Sequence, residues 1–106
     1  MTDGRRFEAM GDPTRQHIVE VLAAGPISVA EIAARLPVSR PAVSQHLKVL
    51  LDAGLVVRRK EAQRNLYWLN HEGFLSIREY IDQLWDTALQ RYRNAARQPE
   101  GDSNEQ

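Results

Sequence analysis

Apolar residues recur at helical spacing in several stretches of this chain and alternate in one. Phe7 and Met10 share a side of a short helical pattern over Arg5–Met10, which Gly11 ends. Asp12 then offers an N-cap with Pro13 at the first helical position. Ile18, Val21 and Leu22, with Val19 beside them, form the inner stripe of that second helix, and Gly25-Pro26 ends it. Ser28 and Glu31 have the spacing of a capping box ahead of Val29, Ile32, Ala33 and Leu36. Leu36-Pro37-Val38 breaks this third helix, because the residue before a proline is pushed out of the helical region. Ser39 caps a fourth helix, with Pro41 tolerated in its first turn, and Gly54 supplies a left-handed stop.

The alternating stretch follows. Leu55–Lys60 and Asn65–Asn70 read as paired strands around a tip of Glu61-Ala62-Gln63-Arg64. Leu66 fits poorly with the run Tyr67-Trp68-Leu69, so the faces of the second strand stay open. No glycine stands at Ala62 or Gln63, which predicts a longer, less sharp loop than a tight glycine turn. His71–Gly73 reads as a connection to the longest helical pattern, Phe74 to about Arg97. Its stripe runs Phe74, Ile77, Ile81, Leu84, Trp85, Ala88, Tyr92 and Ala95. One small domain cannot easily cover so long a stripe. Either the helix folds back on its own core or it pairs with a second copy. Met1–Gly4 is expected to fray, and the polar stretch 98–106 to be a disordered tail. The expected organisation is therefore one domain over residues 1–97 followed by that tail. The fold class is mainly α with a small β-hairpin.

The fourth helix carries the candidate chemistry. At about 100° per residue, Val43, Leu47 and Leu50 point inward, flanked by His46 and Leu51. Pro41, Ser44, Gln45, Lys48 and Val49 point outward. A solvated face usually carries long charged residues. Ser, Gln and Lys suit base edges and phosphates instead, and Gln pairs bidentately with adenine. Taken alone, the helix reads equally well as ordinary surface. The preceding helix and break change that, because helix–short turn–helix is the layout of a helix-turn-helix reader.

The chain has 106 residues, 14 basic and 14 acidic, and no cysteine. Its length suits one domain with a small core, which a second copy would help. Overall neutrality hides a dipolar distribution. Between Arg35 and Arg64, seven basic residues stand against two acidic ones, a net +5, and the rest of the chain carries −5. A basic middle is the footprint expected of a nucleic-acid surface. Without cysteine there is no disulfide, thiolate nucleophile or thiolate metal ligand. No apolar run approaches the roughly 18 residues of a membrane span, and no apolar leader opens the chain, so a soluble, cytoplasmic protein is expected.

Ser39–Leu50, S-R-P-A-V-S-Q-H-L-K-V-L, with Ala53-Gly54-Leu55-Val56 after it, resembles the recognition-helix motif of the ArsR/SmtB family of bacterial regulators. Met10–Ile18, M-G-D-P-T-R-Q-H-I, is similar to the family's upstream pattern, and the likeness covers roughly residues 5–95. The resemblance implies a winged helix-turn-helix with about five helices and a two-stranded wing, dimerising through its terminal helices. It implies a homodimeric repressor on an inverted-repeat operator in double-stranded DNA. Ser39, Arg40, Pro41, Ser44, Gln45 and Lys48 would enter the major groove, and Arg58, Lys60 and Arg64 on the wing would hold the flanking backbone. Phe7, Phe74, Ile77, Ile81, Leu84, Trp85, Ala88 and Tyr92 would form the dimer interface. Arg15 matches a family arginine that is structural or near the DNA backbone, and the structural role is favoured here.

The family is known for metal sensing, through cysteines on the first helix of the reader or Asp and His on the terminal helix. Neither set is present: the terminal helix has Glu79, Asp82 and Asp86 but no histidine. Carboxylates alone bind zinc-class ions weakly. No metal or other cofactor is expected, although His71 with Glu72 leaves room for a non-standard metal-responsive site. No catalytic constellation stands out either. Ser44 and His46, two apart on a helix, do not face each other, and Ser39 is used as a cap. The remaining alternative is a winged helix that docks a partner protein instead of DNA.

Overall fold

Asp12 and Ser39 start helices by the same device. The Asp12 carboxylate accepts the Arg15 N–H at 3.0 Å, and the Ser39 hydroxyl accepts the Ala42 N–H at 3.2 Å. A computed structural model describes residues 3–97 of the chain. In order these are α1 (Asp3–Ala9), α2 (Pro13–Leu22), β1 (Ile27–Ser28), α3 (Val29–Ala33), α4 (Arg40–Asp52), β2 (Val56–Glu61), β3 (Arg64–Leu69) and α5 (His71–Arg97). Asp3 and Gly4, expected to fray, form the first residues of α1. Met1, Thr2 and the expected tail lie outside the described residues.

The core is one cluster. Ile18, Leu22, Ile32, Val43, Leu47, Leu50 and Leu55 are fully buried within it. Each such side chain contributes about 1.5–3 kcal/mol of burial. The inner stripe predicted for α4 is therefore the wall of the core, with Ala42, His46 and Leu51 half-buried beside it and the opposite face left to solvent.

Beyond the N-terminus, the secondary structure departs from the sequence reading in four places. The break between α3 and α4 is longer than Leu36-Pro37-Val38. After Ala33 the chain tightens through Arg35 N–H to Ile32 and Leu36 N–H to Ala33, at 3.0 and 3.4 Å, and α4 begins only at Arg40. A five-residue α3 with Pro37 close behind has little to hold it in α-helical register. Second, the wing is part of a three-stranded antiparallel sheet in the order β1-β3-β2, with Ile27 opposite Tyr67 and Ser28 opposite Leu66. β3 is thus the central strand, paired on both edges, and its neighbours Leu66 and Tyr67, on opposite faces, are both buried.

Third, the wing tip is tight. Glu61 pairs with Arg64, leaving Ala62 and Gln63 as a two-residue turn, with Ala62 at φ 57°. Positive φ at the first central residue is the type II′ pattern that glycine normally fills. Strand pairing imposes it on an alanine, so the expectation of a looser loop was wrong. Fourth, α5 begins at His71, and His71–Gly73 is its first turn.

The end of α4 shows why that turn is placed so closely. Gly54 lies at φ 75°, its N–H donating to Leu51 at 2.9 Å and the Leu55 N–H to Leu50 at 3.0 Å. These are the two bonds of a Schellman motif. A Cβ on Gly73 would collide with the Gly54 carbonyl, so only glycine lets α5 start there.

Candidate nucleic-acid interface

Every residue predicted to meet DNA is exposed: Ser39, Arg40, Pro41, Ser44, Gln45 and Lys48 around α4, and Arg58, Lys60 and Arg64 on the wing. The fold gathers several of them into two grooves between helix and wing. Ser44 and Lys48 line one, of about 400 Å³, with Arg58 and the core residues Leu47 and Tyr67. Arg40 and Arg64 line the other, of about 330 Å³, with Ser28, Gln63 and Asn65. Gln45 lines neither groove and stays exposed on α4.

Strand alternation sorts the wing cations. Arg58 and Lys60 share a face with Tyr67 and Asn65, their cross-strand partners. Arg59 takes the opposite face, where its guanidinium lies 5.4 Å from the Trp68 ring and 3.5 Å from the Glu61 carboxylate. Two further cations are engaged: Lys48 with Asp52 at 3.2 Å, and Arg64 with Glu31 at 3.7 Å. Among the described residues Arg40, Arg58 and Lys60 have no ion-pair partner, so they can meet phosphate without first leaving a carboxylate. Gln63 and Asn65 were missed as groove residues, because nothing local in the sequence says that the wing tip reaches toward the start of α4.

Arg15 faces inward. Its Nε donates to the Ala9 carbonyl at 2.6 Å, and its NH1 lies 3.4 Å from His46 Nδ1. Asp12 stands 3.9 Å from the same imidazole nitrogen. The Arg15 backbone N–H, helped by the guanidinium and His46, holds the Asp12 carboxyl below the usual carboxylate range. This cluster ties α1 and α2 to the inner flank of α4, the structural role expected of Arg15.

The predicted dimer residues divide. Ile77 is buried in the chain's own core and Phe74 packs against it. Both were expected at the dimer interface; α5 packs on α1, its first turn meets the Gly54–Leu55 backbone, and these two side chains join the core of their own chain. From Ile81 to Ala96 every residue of α5 is exposed, with Leu84 at 52%, Trp85 at 62% and Tyr92 at 73%. Phe7 of α1, 48% exposed, packs against Tyr80 of α5 with ring centroids 5.9 Å apart and the rings tilted at 47°. Among the described residues no group of three His, Asp or Glu side chains is placed to share a metal ion, and no helix is long and apolar enough to cross a membrane.

A capped helix pair whose second member stands proud beside a basic hairpin defines a winged helix-turn-helix. The description of a helix-turn-helix domain matches residues 10–59. Over 88 residues the chain is 50% identical to an HTH-type transcriptional regulator of Mycobacterium tuberculosis, covering 83% of this chain and 82% of that one. It is 35% identical over 80 residues to the arsenical resistance operon repressor of Staphylococcus xylosus, covering 76% and 73%. Its fold matches the ArsR-like transcriptional regulator from Rhodococcus sp. RHA1 with a TM-score of 0.72 at 32% identity, over 89% and 92% of the two chains. The chain belongs to the ArsR family of helix-turn-helix transcriptional regulators. It is a DNA-binding regulator of transcription and not an enzyme.

Proposed function

We propose that this regulator is a cytoplasmic homodimeric repressor that binds an inverted-repeat operator in double-stranded DNA. The observation that carries the reading is the exposed Ser44-Gln45-Lys48 face of α4, flanked by Arg40, Arg58 and Lys60, which have no ion-pair partner among the described residues. Gln45 is the foremost base reader, followed by Ser44 and Arg40. The wing holds phosphates and sets the register. The exposed second half of α5, with Phe7, supports pairing of two copies. A two-fold dimer places two reading helices on half-sites about 10–10.5 base pairs apart, or a multiple of that. No metal or cofactor is needed. Release from DNA comes from an effector, a partner protein or competition at the operator.

Footprinting over the promoter region upstream of the chain's own coding sequence, with a transcription assay on the same fragment, tests this. A two-fold symmetric protected site and lower transcription on adding protein are expected. Protection with increased transcription would make it an activator. Absence of any DNA binding would turn the reading to a protein-docking winged helix.

A further inference from the structure

Arg64 is held by a carboxylate that is itself fixed. Glu31 Oε1, 3.7 Å from Arg64 NH1, also accepts the Ser28 backbone N–H at 2.8 Å and the Ser28 hydroxyl at 3.1 Å. The Ser28 N–H first, then its hydroxyl, with Arg64 and Arg35 nearby, keep this carboxyl below the usual range and therefore charged. Arg64 also lines the groove with Arg40, Gln63, Asn65 and Ser28, and that lining contains no carboxylate. Two guanidiniums with the Gln63 and Asn65 amides suit a phosphate oxygen. Arg64 thus stands between two competing anion positions, one filled from within the chain.

We propose that Glu31 is an internal competitor of the DNA backbone, holding Arg64 in the free protein and yielding it to a phosphate seated in the groove beside Arg40. The proposal rests on the DNA-binding reading above. Its consequence is a weakened sequence-independent grip. Engaging a phosphate through Arg64 requires an existing ion pair to break, so base reading by α4 accounts for a larger share of binding.

Glu31→Gln tests it cleanly, because glutamine also serves the third position of a capping box while removing the charge. The probe is a 30-base-pair duplex of random sequence at fixed salt, titrated with the full chain. Glu31→Gln is expected to tighten binding by about 1.5- to 5-fold per wing, the range of an exposed ion pair. The gain should largely vanish in an Arg64→Gln background. In the unmodified protein, the Glu31 carboxyl carbon resonance should shift as duplex is added. Unchanged or weaker binding by Glu31→Gln would overturn the proposal, as would an equal gain without Arg64 or a Glu31 resonance indifferent to DNA. If the wild-type chain binds no duplex at all, the DNA reading itself fails, which is a different result.

Discussion

Asn70 donates its side-chain N–H to the Gly54 carbonyl at 2.9 Å, and its backbone N–H to the Leu55 carbonyl at 2.9 Å. One residue at the junction of wing and α5 thus grips the end of the reading helix twice. Arg6 of α1 grips it a third time, its Nε donating to the Ala53 carbonyl at 2.9 Å. Arg6 of α1 and Asn70, the residue before α5, thus tie both terminal helices to the backbone that ends α4, where cations are also favoured by the helix dipole.

That junction should be fragile. Asn70→Ala leaves a partly buried carbonyl short of its donor and should cost about 1–2 kcal/mol. Gly73→Ala drives a methyl into backbone that cannot move as a side chain can, and should cost about 1–3 kcal/mol. Thermal melts should show both, with the larger fall for Gly73→Ala. An unchanged melting temperature for Gly73→Ala would contradict the packing described here.

The wing tip should improve on mutation. Ala62 holds φ 57°, where an L-residue is disfavoured by about 1–2 kcal/mol, while glycine costs about 0.5–1 kcal/mol through its unfolded-state freedom. Ala62→Gly should raise stability by up to about 1 kcal/mol, measurable by urea unfolding. A clear loss of stability would argue against this turn geometry.

Dimerisation and folding should separate along α5. Leu84→Glu with Trp85→Glu alters side chains that stay largely exposed among the described residues. Sedimentation should then report a folded monomer with weakened operator binding. Ile77→Glu puts a charge into the core and should lower the melting temperature severely. A wild-type protein that sediments as a monomer at micromolar concentration would refute the pairing.

Much of this fold could be read locally. The caps at Asp12, Ser28 and Ser39 and the stop at Gly54 depend on residues within a turn of each other, and the buried face of α4 follows from its period. What could not be read depends on partners distant in sequence. β1 has only two residues and exists because Tyr67 and Leu66 lie opposite them. The start of α5 depends on a glycine fitting against Gly54, and the inward place of Ile77 on how that helix leaves the sheet. In the candidate site, the exposed face of α4 was legible. The pairing of Arg64 with Glu31, and of Arg59 with Trp68 and Glu61, was not, because side-chain pairs across elements leave no periodic trace.

Metal ions should leave DNA binding unaltered. The chain has no cysteine, and none of its three histidines lies on α5 beyond His71, so thiolate and imidazole donors are missing where the family places them. Titrating zinc, nickel, cobalt and copper against operator binding at fixed salt should give no stoichiometric response. A submicromolar effect would direct attention to His71 and the neighbouring carboxylates.

The division of α4 and wing into reading and holding is tested most directly by comparing Gln45→Ala with Arg58→Ala on operator and random duplexes across a salt series. Gln45→Ala should cost about 1–3 kcal/mol on the operator and much less on random DNA. Arg58→Ala should weaken both alike. It should also flatten the slope of log affinity against log salt by about 0.9 for each phosphate no longer neutralised, nearly twice that in a symmetric dimer. If Gln45→Ala instead lowers operator and random affinity by the same factor, α4 does not read bases through Gln45 and the central claim is wrong.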